Sequence, residues 1–102
     1  MKKLINDVSS VVREALQGLV ALSPQLALLE GENTVVRADL EAFRATGKVA
    51  IVTGGGAGHE PAHAGYVGEG MLTAAVSGDV FASPSTDAVY TALKAVGGPS
   101  GV

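Results

Sequence analysis

The sequence contains no cysteine among its 102 residues. Disulfide bonds and thiolate metal sites are therefore excluded, which fits a reducing compartment and leads us to expect a cytoplasmic protein.

Basic charge is also scarce. The net charge is -3 at pH 7, so the chain lacks the positive surface that nucleic-acid binding requires. Nucleic acid is not expected as a partner.

Long hydrophobic runs are the third absence. Lys2 and Lys3 precede Leu4 and Ile5 as in a signal peptide, but Asn6 interrupts the apolar run at once. No segment is long enough to cross a bilayer, so no membrane association is expected. With 47% hydrophobic and 17% charged residues, the chain has the composition of a folded domain rather than a disordered tail.

Two amphipathic helices are predicted from apolar side chains at helical spacing. The first covers residues 8–19 and can be capped by Asn6 or Asp7. The second is predicted to open at residues 83–84, where a serine precedes a proline, and to end at the glycines 97–98.

Extended segments are predicted between these helices. Residues 26–30 and Thr34–Arg37 are two short candidates, and residues 73–76 are another. Residues 49–52 form a continuous apolar run, which is typical of a strand buried on both faces. Leu40–Ala45 is compatible with one helical turn or with a loop, and its periodicity does not decide between them.

Alternating strands and helices predict an α/β fold with a mainly parallel sheet and flanking helices. By this alternation another strand should follow residues 97–99. We therefore expect residues 1–102 to be one portion of a larger domain, incomplete at the C-terminal end.

A glycine-rich turn is predicted after the 49–52 strand, at residues 54–58. Open α/β sheets bind ligands at the carboxyl ends of their strands, and glycine lets the backbone approach a ligand closely. A tight strand-to-helix connection without a ligand explains the glycines equally well.

Two nucleotide-binding patterns do not fit this turn. A phosphate-binding P-loop has a Lys-Ser/Thr pair after its last glycine, where this chain has His59-Glu60. The dinucleotide fingerprint fails on spacing, because its third glycine falls on His59 or Pro61, or its second on Ala57.

His59-Glu60-Pro61-Ala62-His63 literally matches the H-E-x-x-H signature of zinc proteases. That motif requires both histidines on one face of a continuous helix. Pro61 is tolerated only in the first helical turn, which would leave His59 at or before the cap. We therefore expect no metal site, and we interpret His63 as a structural residue.

His59 has a different role available to it. A histidine emerging from a glycine turn can hydrogen-bond a small polar ligand or take a proton from its hydroxyl, because imidazoles titrate near neutral pH. A structural histidine bonded to a nearby carbonyl is the alternative.

Several consecutive motifs together resemble one family. They are Thr-Gly-Gly-Gly-Ala-Gly-His-Glu-Pro at 53–61, Gly-Tyr-Val-Gly at 65–68, Gly-Met-Leu-Thr-Ala-Ala-Val at 70–76 and Gly-Asp-Val-Phe-Ala-Ser-Pro at 78–84. In this order they closely resemble the dihydroxyacetone-binding domain of dihydroxyacetone (glycerone) kinases. The opening residues 1–8 look similar too, so the resemblance covers essentially the whole chain.

The resemblance implies a kinase that phosphorylates the terminal hydroxyl of dihydroxyacetone. It assigns substrate binding to Gly56, Ala57, Gly58 and His59, and makes His59 the candidate catalytic base or hydrogen-bond partner of the reacting hydroxyl. The loop serine common in the family is Ala57 here, which leaves the backbone role intact.

The resemblance also implies parts that residues 1–102 do not supply. A histidine that bonds covalently to the substrate carbonyl, and an assisting aspartate, lie downstream in the family. This segment is expected to bind no cofactor and to be inactive by itself.

The phosphoryl donor differs within the family. ATP and magnesium are expected on a separate domain or subunit, with a phosphoenolpyruvate-dependent phosphotransferase subunit as the alternative partner. A homodimer is expected for the full-length form. A non-catalytic ketose-sensing module on the same scaffold stays open.

Overall fold

A computed structural model describes residues 2–102 of the chain. Its helices are α1 (Val11–Ala21), α2 (Leu40–Ala45) and α3 (Thr86–Val96), with 3₁₀ turns at Val8–Ser10 and Ala64–Tyr66. Its strands are β1 (Leu26–Leu28), β2 (Thr34–Arg37), β3 (Val52–Ala57) and β4 (Ala74–Val80). They form one sheet in the order β1-β2-β4-β3.

The sheet is mixed, so the expectation of a mainly parallel sheet was wrong. β1 pairs antiparallel with β2, and β2 pairs antiparallel with β4; β3 and β4 are parallel. For β1 and β2 the reason is the length of their connection. β1 and β2 are joined only by residues 29–33, and a parallel pair needs a much longer crossover.

Both faces of this sheet are covered. Val35 and Val36 are adjacent in β2 and point to opposite faces, yet both are buried. Val35 packs in one apolar cluster with Leu16 of α1, whereas Val36 packs in a second with Phe43 of α2 and Val96 of α3. The helices therefore lie on two sides of the sheet, as the α/β class requires.

The predicted helix at 8–19 is confirmed, with Asp7 as the residue that caps its 3₁₀ first turn. The Asp7 carboxylate accepts a hydrogen bond from the Ser9 N–H at 2.8 Å. Hydrogen bonds from Ser9 also lower the pKa of the Asp7 carboxyl. The undecided segment Leu40–Ala45 is helical as α2.

The second helix begins later than predicted. α3 starts at Thr86, and the Ser85 hydroxyl accepts a hydrogen bond from the Ala88 N–H at 3.1 Å. Ser83 and Pro84 belong to the loop that leaves β4 instead. Serine is a preferred residue at helix N-caps, so the sequence pattern could not decide between Ser83 and Ser85.

The strand predicted at 49–52 was also misplaced. Val49 and Ile51 are 57% and 55% exposed, and only Ala50 is buried. β3 begins at Val52 and continues through the glycines to Ala57. β3 lies at the edge of the sheet, next to β4.

An ion pair fixes the end of β2 against α2. The Arg37 guanidinium donates two hydrogen bonds of 2.7 Å to Asp39, and its central carbon lies 4.7 Å from the Phe43 ring centroid. The hydrogen bond from Arg37 lowers the pKa of the Asp39 carboxyl. The ion pair therefore stabilises the fold above that pKa, and this stabilisation is lost as the pH falls through it.

No helix within residues 2–102 is long and apolar enough to cross a membrane.

Candidate functional site

Residues 54–57 of the glycine-rich segment belong to β3 rather than to a turn, and Gly58 lies in the bend that follows. Gly54 and Gly55 pair with Val76 and Ser77 of β4, and after a bulge Ala57 pairs with Val80. Because the two strands are parallel, their carboxyl ends meet at the same edge of the sheet. Ligands of open α/β sheets bind outside such strand ends.

All four glycines of residues 54–58 lie where a side chain would meet a neighbouring group. A Cβ on Gly56 would stand 2.8 Å from the Ala82 N, and one on Gly55 would stand 3.1 Å from the His63 ring. Gly58 has φ +104, and the Phe81 ring lies 3.2 Å from the position of its absent Cβ. The glycines thus allow the β4–α3 loop and two rings to lie directly on the backbone.

His59 follows this strand end with its side chain exposed. Its ring centroid is 5.7 Å from that of His63 and 6.4 Å from that of Phe81. The imidazole therefore stands at the edge where β3 and β4 end, open to solvent and beside two other rings. In this position it can bond a ligand hydroxyl and accept its proton.

The four residues assigned to substrate binding have different surroundings. Ala57 is buried, and its carbonyl accepts a hydrogen bond of 2.8 Å from the Phe81 N–H. The Gly58 N–H donates to the Glu60 carboxylate, at 3.1 and 3.2 Å from its two oxygens. Gly56 is half-buried, and His59 is exposed. Their substrate-binding role stays a prediction.

Two residues that contact the glycine segment were not identified from the sequence as parts of the site. Glu60 carries the carboxylate that occupies the Gly58 N–H, and Phe81 supplies an exposed ring over Gly58. Phe81 also has φ +52, which is unusual for a residue with a Cβ. The Phe81 contact depends on how β3 and β4 align, so no local pattern signals it, whereas the Glu60 contact spans only two residues of the chain.

An open polar cavity of about 430 Å³ lies at the same end of β4. It is lined by the β1–β2 connection, the end of β4 and the start of α3, and it includes Asp79 and Ser83. Residues 54–59 do not line it. We place the candidate site at His59 because no histidine lines the cavity.

The H-E-x-x-H segment is not helical. Residues 60–63 form turns, and His63 immediately precedes the three-residue 3₁₀ helix Ala64–Tyr66, so it does not lie inside a helix. Proline at 61 explains this, since it removes a backbone donor that a continuous helix would need. Within residues 2–102, no three histidine, aspartate or glutamate side chains cluster as metal ligands.

We predict that the purified protein holds no stoichiometric zinc, because the two imidazoles do not share a helical face. Elemental analysis by mass spectrometry checks this, with His63→Ala as the matched variant. One equivalent of zinc that is lost on that substitution would contradict the prediction.

The fold and the site together define the class of protein. It is a mixed α/β domain that presents a glycine backbone and an imidazole where two parallel strands end. The particular family follows from comparison: the Dak1 domain matches residues 17–102, and the chain belongs to that family.

Relatives of known name are similar over nearly the whole chain. A provisionally named 3,4-dihydroxy-2-butanone kinase of Solanum lycopersicum is 54% identical over 98% of the chain. The dihydroxyacetone-binding subunit DhaK of a PEP-dependent dihydroxyacetone kinase, from Escherichia coli, is 47% identical over all of it. The chain spans only 17% and 28% of these two relatives, respectively.

Two solved structures are similar in fold as well. The dihydroxyacetone kinase of C. freundii, in complex with AMP-PNP and Mg²⁺, gives a TM-score of 0.85 at 49% identity, over 95% of this chain and 18% of that one. A dihydroxyacetone kinase operon co-activator, Dha-DhaQ, gives 0.71 at 36% identity, over 89% and 26%.

Proposed function

We propose that the chain forms part of the dihydroxyacetone-binding domain of a kinase that phosphorylates dihydroxyacetone. The observation that carries this proposal is the exposed imidazole of His59 at the shared end of β3 and β4. Membership of the Dak1 family and 47–54% identity to relatives named as kinases of small hydroxyketones support it.

In this proposal, Gly56, Ala57 and Gly58 shape the floor of the site and His59 acts on the substrate. The glycines let the β4–α3 loop and the Phe81 and His63 rings pack directly on the strand, which builds the site beside His59. His59 accepts the proton of the terminal hydroxyl while that oxygen bonds to the transferred phosphorus. The phosphorus–oxygen bond to the donor breaks, and dihydroxyacetone phosphate results.

The donor in this proposal is ATP with magnesium, held by a separate domain or subunit. The glycine strand has His59-Glu60 where a P-loop has its Lys-Ser/Thr pair, so this segment offers no familiar nucleotide cradle. Identities of 49% to the AMP-PNP-bound kinase and 47% to the PEP-dependent subunit are nearly equal. These identities do not distinguish the two donors, so the phosphorylation assay described below assigns the donor.

A ketose-sensing module is the second candidate function. The similarity to the operon co-activator, at a TM-score of 0.71, favours it specifically, because that relative is named for regulation rather than catalysis. A sensor would bind the ketose on the same backbone without transferring phosphate. We also propose that the complete protein is a cytoplasmic homodimer, on the family resemblance alone.

The test is a phosphorylation assay on the complete protein that carries this chain. Dihydroxyacetone is supplied with ATP and magnesium, and separately with phosphoenolpyruvate and a phosphotransferase system. We expect turnover with ATP and none with glycerol, which has the same terminal hydroxyls but lacks the carbonyl. Turnover with phosphoenolpyruvate alone would reassign the donor. Ketose binding without turnover from either donor would support the sensing module instead.

A further inference from the structure

Phe81 stands out in the loop that leaves β4. It is the single non-glycine residue with positive φ among residues 2–102, at φ +52, and its side chain is 77% exposed. A residue with a Cβ is disfavoured in this left-handed conformation, and a bulky one especially so. Neither apolar core cluster includes it. Core packing therefore does not explain why a phenylalanine occupies this position.

Backbone hydrogen bonds hold the main chain of Phe81 in this conformation. The Phe81 N–H donates to the Ala57 carbonyl at 2.8 Å, and the Ala82 N–H donates to the Asp79 carbonyl at 3.0 Å. Gly58 leaves the space that the ring occupies, since a Cβ there would stand 3.2 Å from it. Strained residues that the surroundings hold in place are concentrated at ligand sites.

The ring also has a defined position relative to His59. The two ring centroids are 6.4 Å apart, with the planes inclined at 44°. A ligand whose hydroxyl bonds the His59 imidazole would thus lie with its carbon chain beside the exposed Phe81 ring. Of the two rings near His59, Phe81 supplies the apolar one.

We propose that Phe81 is a specificity-determining residue that limits the length of the hydroxyketone accepted at His59. The inference rests on the proposed function and adds to it the residue that selects the substrate. The ring stacks on the carbon chain of a three-carbon ketose and occupies the space that a fourth carbon would need. Substrate length is the relevant variable, because relatives are named for dihydroxyacetone and for 3,4-dihydroxy-2-butanone.

The experiment compares two substrates in the complete protein. Values of kcat/KM are measured for dihydroxyacetone and for 1,3,4-trihydroxy-2-butanone, which is one carbon longer. We expect Phe81→Ala to shift their ratio about 10-fold toward the longer ketose, since one carbon in an apolar pocket is worth roughly 10–200-fold. Phe81→Leu should shift it less. The matched control is Tyr90→Ala, which removes another exposed ring, beside Lys94 on α3, and should leave the ratio unchanged.

Each outcome has one meaning. An unchanged ratio in folded Phe81→Ala overturns the inference while the proposed function stands. An equal loss for both ketoses also overturns it, because the ring then does not discriminate between the two substrates. A wild-type protein that phosphorylates neither ketose refutes the proposed function and the inference with it. If Phe81→Ala does not fold, Phe81→Gly replaces it, because glycine adopts φ +52 without strain and also lacks the ring.

Discussion

His59→Asn is expected to lower kcat for dihydroxyacetone by about 10²–10⁴-fold in the complete protein, which is the usual contribution of a general base. Asparagine can still hydrogen-bond the substrate hydroxyl, but it cannot accept its proton. The side chain is exposed and makes no core contact, so the fold should survive the substitution. Affinity for the ketose should fall less than kcat, because the family resemblance implies a covalent anchor at the carbonyl from a downstream histidine.

The matched control is His63→Asn, the same substitution on the neighbouring ring. His63 is half-buried against Gly55 and is assigned a structural role, so its replacement should not abolish activity. Steady-state kinetics with circular dichroism on both variants provide the measurement. An unchanged kcat in folded His59→Asn would return His59 to a structural role.

Gly78→Ala is expected to destabilise the fold by about 3 kcal/mol or more, the upper range for overpacking. Gly78 is buried in β4, and a Cβ there would stand 2.0 Å from the Ala82 oxygen and 2.6 Å from the Pro84 nitrogen. Both are backbone atoms, so the loop that carries Phe81 would have to move. The cost is steric, because the φ of Gly78 is not in the left-handed region.

Gly18→Ala is the control, and it is expected to change the stability of the fold in the opposite direction. Gly18 lies within α1, and nothing stands within 4 Å of its absent Cβ. Alanine there should stabilise the helix by about 0.5–1 kcal/mol through its higher propensity. Denaturation midpoints of the two variants and the wild type give the comparison. Equal midpoints for Gly78→Ala and wild type would show that the loop yields without cost.

Elements whose signals are local could be predicted from the sequence. β2 has the predicted bounds Thr34–Arg37, and α1 follows the apolar periodicity that begins at Val8. These predictions succeed because one buried stripe or one short β-rich run decides the local conformation. His59 could be singled out for the same reason, as a polar side chain beside glycines.

Predictions that depended on distant residues were less successful. The glycines 54–56 were interpreted as a turn, yet they are in β3 because β4 and its following loop lie against them. The predicted N-cap of α3 was Ser83, but the observed N-cap is Ser85, because residues 81–84 continue the loop over the glycine strand. In both cases a tertiary neighbour decided between local alternatives that the sequence left nearly equal.

The sequence by itself determined the helical stripes, the strand β2 and the run of motifs that resembles the dihydroxyacetone kinases. The tertiary structure alone decided the mixed strand order, the groups that lie on each glycine and the placement of Phe81 beside His59. The physical reason is the range of the interactions. Helical periodicity and turn chemistry act over a few residues, whereas strand direction and close backbone approach join residues that are far apart in the chain.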